Sequence, residues 1–270
     1  AAIVIKLTLV GIDPLPFLTY RFLISSLLAV IFFISVKKAF LGFKSNLLAI
    51  ALYGFLSTTF SLGALFFGLE QTTVLNLSLI TLSLPLLTAW GGVHFLGEHI
   101  TKREKLGTTI ALAGALFTVI QPILDGGGAF GSFSGNLFIF FYLVGDVASS
   151  ILLKKFLRKD ISPSSLTHIS FVIGFLTILP ITLISYSPAQ IISSVTNLSL
   201  PYHLGILYMA IFSGTIAYTI RAKGQKTIEI QEGGLFGYTT SLFSAPLAVF
   251  LLGEKVTPTF IIGGLIILTG

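Results

Sequence analysis

The carboxylate of Asp146 is the residue whose type and position most directly suggest chemistry, because it interrupts a long apolar stretch. It lies about eleven residues into a predicted helix, which corresponds to a depth of roughly 16 Å. A carboxylate away from water either takes up a proton or pairs with a cation. Arg21 and Lys6 also lie within apolar stretches and are the candidate cations. Asp146 therefore either cycles a proton together with a bound solute or forms a structural ion pair with Arg21.

Polar and aromatic side chains on other apolar stretches are candidates for lining a solute cavity. Asn76, Ser83 and Trp90 recur at helical spacing and are predicted to share one face. Polar groups beside aromatic rings suit an amphiphilic organic solute better than a bare ion. The alternative is that the hydroxyl groups bond across packed helices or back to their own turn. The candidate cavity residues are Asn76, Ser83, Trp90, Tyr142, Asp146, Tyr218, Glu232, Tyr238 and Thr239.

Metal, cofactor and catalytic sites are not expected. His94, Glu98 and His99 are close in sequence, but a third and a fourth ligand position are not evident around them, and the sequence contains no Cys. The sequence also lacks a phosphate-binding Gly-Lys-Ser/Thr loop, so ATP is not the expected energy source. A catalytic triad is not apparent either.

The composition indicates the environment of the chain. Hydrophobic residues make up 54% and charged residues 10% of its 270 residues, and the mean hydropathy is +0.98. These values predict an all-α polytopic membrane protein. Residues 1–10 and 258–270 are apolar but too short to cross, so we expect ten helices with the first and last truncated. The predicted complete spans lie near 14–35, 46–68, 72–97, 102–122, 135–155, 163–186, 200–221 and 228–252.

The basic residues predict how the chain enters the membrane. Most of the 16 Lys and Arg residues lie in every second break between spans. By the positive-inside rule those breaks face the cytoplasm. Both termini are therefore expected on the cytoplasmic side of a plasma (inner) membrane. The net charge of +6 is thereby explained as a topology signal, and a nucleic-acid partner is not expected.

A short turn occurs twice and reveals an internal duplication. Leu96-Gly97-Glu98 and Leu252-Gly253-Glu254 are 156 positions apart, and each is followed by Thr three residues after the glutamate. In each copy we predict a helix that ends at a left-handed glycine, with the glutamate beside the N-terminus of the helix that follows.

The duplication predicts two halves of opposite orientation. The expected parts are a first five-helix repeat at 1–124, a Gly-rich joint at 125–134 and a second repeat at 135–270. Because five is an odd number, the second repeat must enter the membrane upside down, an architecture typical of transporters that expose a central site to each side in turn. Gly107, Gly114 and Gly263 suggest close helix packing, either within the monomer or in a homodimer.

The two Leu-Gly-Glu-x-x-Thr turns, together with Gly214-Thr215-Ile216-Ala217-Tyr218, resemble the EamA-type members of the drug/metabolite transporter superfamily. The resemblance covers essentially the whole chain and implies a ten-helix inner-membrane exporter of small metabolites, such as amino acids, that works without ATP. One position departs from the family pattern. Pro85 precedes the first turn, but Ser241 stands at the matching place in the second copy, so a symmetric kink in the fourth and ninth helices is not expected.

Two classes of function follow. The first is a secondary transporter of a small metabolite working by alternating access, with proton coupling dependent on Asp146. The alternative is a membrane-embedded enzyme acting on a lipid or lipid-linked substrate, which would require Asp146 and the tyrosines to form a catalytic cluster.

Overall fold

Helices account for nearly all of the part of the chain that the computed structural model describes, residues 1–36, 40, 42–43, 46–97, 101–124 and 131–269. Glu98, His99 and most of the predicted Gly-rich joint lie outside these residues. The helices of the first half are α1 (Ala2–Thr8), α2 (Pro14–Ser35), α3 (Leu47–Gly54), α4 (Ser61–Gln71), α5 (Val74–Thr81), α6 (Leu84–Leu96) and α7 (Lys102–Leu124). Those of the second half are α8 (Phe133–Leu157), α9 (Pro163–Ser185), α10 (Pro188–Thr196), α11 (Leu200–Ala210), α12 (Ala217–Thr227), α13 (Ile230–Leu252) and α14 (Pro258–Thr269).

Eight helical stretches in the described residues are long and apolar enough to cross a membrane. They confirm the eight complete spans predicted from the sequence, with boundaries that agree to within four residues except that the span predicted at 200–221 extends to Thr227. The stretches are Pro14–Ser35, Leu47–Gln71, Val74–Leu96, Lys105–Leu124, Phe133–Leu157, Pro163–Ser185, Leu200–Thr227 and Glu232–Leu252.

Helix α10 is an element that the sequence analysis missed. Ser187 forms a capping box with Gln190, and Pro188 occupies the first helical position, so the start of the helix is strongly specified. None of its residues is buried. The helix is short and has few apolar residues, so its sequence lacks the hydropathy pattern of a membrane span. For that reason its sequence was interpreted as part of a loop.

A π-helical segment interrupts the spans Leu47–Gln71 and Leu200–Thr227 at the same place in the duplicated sequence. We name these segments π1 (Phe55–Phe60) and π2 (Ile211–Ile216). They are 156 positions apart, the same spacing that separates Gly97 from Gly253. Both glycines adopt the predicted left-handed conformation, with φ of 72° and 66°. Positions that the predicted duplication relates therefore share backbone conformations.

The spans Val74–Leu96 and Glu232–Leu252 differ, as the sequence predicted. The first of them is broken at Leu82 and Ser83, between α5 and α6, whereas α13 runs without interruption through the second. Pro85 contributes to the break, because proline has no N–H to donate to the carbonyl four residues earlier and its ring collides with that carbonyl. Proline alone does not determine it, since Pro246 lies inside the uninterrupted α13. Ser241 at the matching place retains its N–H.

The helices form two compact units, and each unit combines segments of both sequence halves. Unit 1 consists mainly of residues 3–63 and 152–227, and unit 2 mainly of 64–151 and 228–270. In unit 1, α2 packs along α9; in unit 2, α7 packs along α14, and α13 packs along α5 and α6. The predicted repeats at 1–124 and 135–270 differ from these two units. They stay a prediction about which parts of the sequence are duplicated.

Two of the predicted packing glycines lie inside unit 2, between α7 and α14. A Cβ at Gly114 would lie 2.7 Å from the side chain of Ile267, and one at Gly263 would lie 2.8 Å from the hydroxyl of Thr118. Larger residues would force the two helices apart. Close packing within the monomer is therefore confirmed for these positions, and the homodimer stays a prediction.

Candidate functional site

Arg21 is a charged side chain completely enclosed in unit 1. It lies on α2, within a membrane-spanning stretch, and is 1% exposed. Its Nε donates a hydrogen bond of 3.1 Å to the carbonyl of Met209, near the end of α11. A guanidinium at this depth is costly unless its charge and its donors are satisfied, and such residues usually mark functional positions.

The carbonyl that Arg21 binds is close to the beginning of π2. A π turn shifts the backbone hydrogen bonds by one residue, which leaves carbonyls available to side-chain donors. Here Ser25, one turn after Arg21 on α2, donates to the carbonyl of Ala210 at 3.2 Å. Thr215 donates to the same carbonyl at 3.1 Å. Helix α2 and π2 are thus joined by polar contacts in an otherwise apolar region.

Three aromatic rings form a connected group that begins beside the guanidinium of Arg21. Its Cζ lies 5.6 Å from the ring centroid of Phe22, which is within cation–π range. Phe22 and Phe171 are 5.9 Å apart between centroids, and Phe171 meets Tyr218 edge to face at 5.7 Å. We call this group the Arg21 site; its members are Arg21, Phe22, Phe171, Met209, Gly214 and Tyr218.

The backbone approaches Arg21 closely at Gly214. A Cβ at this position would lie 2.7 Å from the carbonyl oxygen of Met209 and 3.6 Å from Nη2 of Arg21. The first distance is too short for any side chain to be added without displacement. The local geometry of π2 therefore requires glycine at this position. Next to Nη2, the guanidinium faces the backbone of Gly214 and no side chain of that residue.

The first copy of the π segment is stabilised without a charge. In π1, Ser57 and Thr58 donate to the carbonyl of Gly54, the counterpart of Ala210, at 3.2 and 2.6 Å. Thr58 stands where the second copy has Gly214, and it also donates to the carbonyl of Ser170 at 3.1 Å. Pro14 and Pro163 are as far apart in the sequence as Arg21 and Ser170, so Ser170 is the counterpart of Arg21 in the second copy. The two copies therefore share a polar π turn but differ in charge.

Of the other unit 1 residues predicted from the sequence, Tyr218 belongs to the Arg21 site and Lys6 is partly buried on α1. Hydroxyl groups join α2 and α9 through the 2.7 Å contact between Thr19 and Thr182 and the bond from Ser26 to the carbonyl of Phe171. These hydroxyl contacts follow the alternative in which Ser and Thr serve helix packing.

In unit 2, Asn76 takes part in a buried amide cluster. Its Nδ2 donates to Oδ1 of Asn136 at 3.2 Å, and the hydroxyl of Thr72 donates to the same oxygen. Asn136 in turn donates to the carbonyl of Thr118 at 2.8 Å. These bonds connect α5, α8 and α7, so Asn76 contributes to packing in unit 2, and its place in a solute cavity stays a prediction. Ser83 also bonds locally, to the carbonyl of Ile80 at 2.7 Å.

The other candidate cavity residues of unit 2 differ in exposure and in their contacts. Glu232 is exposed and accepts the N–H of Glu229 in a capping box at the start of α13. Trp90 is 42% exposed and lies against the ring of His94, whose Nδ1 donates to the Trp90 carbonyl at 2.8 Å. Thr239 is exposed, while Tyr142 and Tyr238 are partly buried.

Asp146 is buried in unit 2, as its place in the sequence suggested. It is 4% exposed on α8, and its backbone carbonyl accepts the hydroxyl of Ser149 at 3.0 Å. Arg21 and Lys6 belong to unit 1 and Asp146 to unit 2. The ion pair between Arg21 and Asp146 therefore stays a prediction.

Glu254 has a role that the sequence analysis did not anticipate. We expected its carboxylate to lie beside the helix that follows it, and this expectation was wrong. Both oxygens instead accept backbone N–H groups at the start of α5, from Val74 and Leu75, each at 2.8 Å. A carboxylate is favoured at any helix N-terminus, so the residue type alone could not identify which helix it would cap. Its counterpart Glu98 lies outside the described residues.

Among the described residues, His, Asp and Glu do not gather in groups of three or more that could hold a metal ion. Glu98 and His99, two of the residues considered for a metal in the sequence, fall outside that part of the chain.

Comparison with known proteins points to one family. The model of the EamA-like transporter family matches residues 1–120 and 133–270. A Bacillus subtilis protein named uncharacterized transporter YyaM is 27% identical over 245 residues, which cover 90% of this chain and 77% of that protein. An Archaeoglobus fulgidus protein named uncharacterized transporter is 25% identical over 272 residues, covering 99% and 90% of the two chains.

A solved crystal structure shares the fold. It superposes with a TM-score of 0.64 at 17% sequence identity, and the match covers 99% of this chain and 91% of that one.

Proposed function

Because the chain belongs to the EamA-like transporter family, we propose that it is a secondary transporter that exports a small metabolite by alternating access. Its solute is an amino acid or a related amphiphilic compound. The observation that carries this proposal is the burial of two ionisable side chains, Arg21 and Asp146, inside helices long enough to span a membrane. Ionisable residues in such places are characteristic of solute and proton pathways.

The proposed architecture is ten helices in two inverted repeats within the plasma (inner) membrane. The equal spacing of the π segments and of the left-handed glycines supports a duplication, and five spans per copy require the two copies to be oppositely oriented. A membrane-embedded enzyme is the alternative, but it gains no support from the relatives, which are named transporters.

Counterflow in proteoliposomes tests the proposed function. The full-length protein is reconstituted with unlabelled amino acid inside, and uptake of labelled amino acid from outside is measured for a panel of amino acids and nucleosides. We expect at least one amino acid to show counterflow well above that of protein-free vesicles. Absence of flux for every solute in the panel would contradict the proposal.

Cysteine labelling tests the proposed orientation. The sequence has no Cys, so a single introduced Cys gives no background within this chain. We expect Arg158→Cys, in a basic break, to be labelled by a membrane-impermeant maleimide only in inside-out vesicles, and Ser194→Cys on α10 only in right-side-out cells. The reverse pattern would place the basic breaks outside.

A further inference from the structure

Helix α10 is tethered closely to two membrane spans of unit 1. Residues 186–187 connect it to the end of α9, and residues 197–199 connect it to the start of α11. Both neighbours belong to stretches that are long and apolar enough to cross a membrane. When fully extended, links of two and three residues reach at most about 11 and about 14 Å between the helix ends. Because both of its ends are held in this way, α10 must lie at or near the surface of the bilayer.

The residues that flank α10 indicate that lipid hydrocarbon reaches almost to its level. Ile184, near the end of α9, is 86% exposed, and Leu200, the first residue of α11, is 69% exposed. Apolar side chains this exposed on membrane spans are covered by hydrocarbon. Tyr186 follows the end of α9, and Tyr202 lies in the first turn of α11. Tyrosine is enriched where a membrane meets water, so these positions place α10 at the level of the lipid headgroups.

The sequence of α10 has an apolar stripe on a polar helix. The stripe follows the i, i+3, i+4, i+7 spacing of an amphipathic helix and consists of Pro188, Ile191, Ile192 and Val195. Gln190, Ser193 and Thr196 occupy the opposite face. An amphipathic helix at this level can lie in the plane of the membrane surface with its stripe towards the acyl chains.

Unit 1 covers only one edge of the stripe. Ile191 and Val195 are partly buried, in agreement with the packing of α10 against α2, whereas Ile192 is 62% exposed. The hydroxyl of Tyr186 donates a hydrogen bond of 2.9 Å to Oδ2 of Asp13, the residue that precedes α2. This bond and the packing on α2 fix the orientation of α10, so the edge at Ile192 is presented to the surroundings of unit 1.

The lack of charge in this region indicates what covers the exposed edge. Residues 161–220 contain no Lys, Arg, Asp or Glu. Helix α10 and its two links therefore have no charged side chain with which to attract anionic headgroups or a charged protein surface. A bilayer interface does not require such a charge, because burial of apolar area is itself a source of binding energy.

We infer that α10 is an interfacial helix whose binding partner is the lipid bilayer. Pro188 and Ile192 insert into the leaflet, while Gln190, Ser193 and Thr196 face the headgroups and water. The helix binds neutral and anionic phospholipids alike, because only its apolar edge contributes to binding. It thereby anchors the start of α2 at the bilayer surface. Binding of this kind depends on the membrane spans and not on the transport of a solute.

Fluorescence quenching at single cysteines tests the inference, since the sequence has no Cys of its own. Ile192→Cys and Ser193→Cys are made in the full chain, labelled with an environment-sensitive fluorophore and reconstituted into phosphatidylcholine vesicles. The quenchers are brominated lipid and iodide equilibrated across the membrane. We expect brominated lipid to quench the probe at position 192 at least about twofold more strongly than the probe at 193, and iodide to show the reverse order, as for a stripe buried about 5–10 Å.

Ile184→Cys is the control for a lipid-facing position, because Ile184 is 86% exposed on α9. Its quenching by brominated lipid should be at least as strong as that at position 192. Replacing about a third of the phosphatidylcholine with phosphatidylglycerol should leave the order unchanged, because α10 has no charge. Should Ile192→Cys fail to fold, Pro188→Cys tests the same edge.

Three results would overturn the inference. Equal iodide quenching at positions 192 and 193 would show that α10 stands clear of the bilayer. Protection of position 192 from both quenchers would show that protein covers the edge, and a dependence on the protein-to-lipid ratio would identify a second copy of the chain. Insertion only in vesicles with phosphatidylglycerol would show that headgroup charge is required. Each of these readouts is independent of flux and therefore of the proposed transport function.

Discussion

Asp146→Asn is expected to abolish accumulation driven by a proton gradient while leaving solute exchange in place. The carboxylate is 4% exposed within a spanning helix, a place where ionisable residues are characteristic of proton and solute pathways. Asparagine has nearly the same size but cannot ionise. An imposed gradient of about one pH unit can drive about tenfold accumulation for each coupled proton. In proteoliposomes of the variant we expect this ratio to fall to about one, with counterflow unchanged.

Asp160→Asn is the control for the chemical change alone. Asp160 is an exposed carboxylate, 87% exposed, that pairs with Lys226 at 3.0 Å. It adopts a left-handed backbone conformation with φ of 58°, which asparagine also tolerates. Accumulation should be unaffected by this substitution. If wild type and Asp146→Asn show equal flux that does not respond to the gradient, Asp146 has no coupling role. Loss of both accumulation and exchange, with a lower melting temperature, would favour the structural ion pair with Arg21.

Local signals in the sequence were sufficient for the spans and for the turns. Length and hydropathy determine a membrane helix, because the bilayer leaves few other ways to satisfy the backbone. Gly97 and Gly253 could be predicted as left-handed because glycine ends helices in this way. The break between α5 and α6 was predictable from Pro85, since proline has no N–H to donate to the carbonyl four residues earlier.

The π segments could not be predicted from residue types. Residues 55–60 and 211–216 are composed of ordinary helix residues, and a π turn depends on which side chains compensate the shifted carbonyls. Those side chains come partly from other helices, as Ser25 does for Ala210. The duplication offered one usable signal, because a polar cluster at 57–59 recurs as Ser213 and Thr215 in the second copy.

The shared helical face of Asn76, Ser83 and Trp90 stays a prediction, and it was derived for a continuous helix over 72–97. The break at Leu82 and Ser83 changes the direction of the face partway along the span. Asn76, before the break, donates a hydrogen bond to Asn136, whereas Trp90, after the break, is 42% exposed. Polar residues in membrane spans are equally suited to packing and to solute contact, so their roles depend on partners far away in sequence.

Glu254→Ala should lower the stability of unit 2. Among the substitutions proposed for residues that are not buried, we expect it to have the largest effect. The carboxylate accepts the N–H groups of both Val74 and Leu75, two buried residues at the start of α5. Removing it leaves two donors in apolar surroundings, at a cost of about 2–4 kcal/mol in the free energy of unfolding. The measurement is the melting temperature of the detergent-solubilised protein, followed by the fluorescence of Trp90, the only tryptophan of the chain. Glu254→Gln keeps one acceptor oxygen and should lose about half as much stability.

Glu232→Gln separates this effect from loss of an acidic residue at a helix start in general. Glu232 is exposed and caps its own helix, and glutamine can take its place in a capping box, so the melting temperature should not change. A Glu254→Ala variant as stable as wild type would show that water replaces the carboxylate at α5. Equal loss in both variants would show a nonspecific effect of charge. A loss confined to Glu254 means that the turn after α13 holds the start of α5 in place through this carboxylate. Thr257, three residues later, adds contacts from the same turn, because it N-caps α14 and accepts a hydrogen bond from Gln121 on α7.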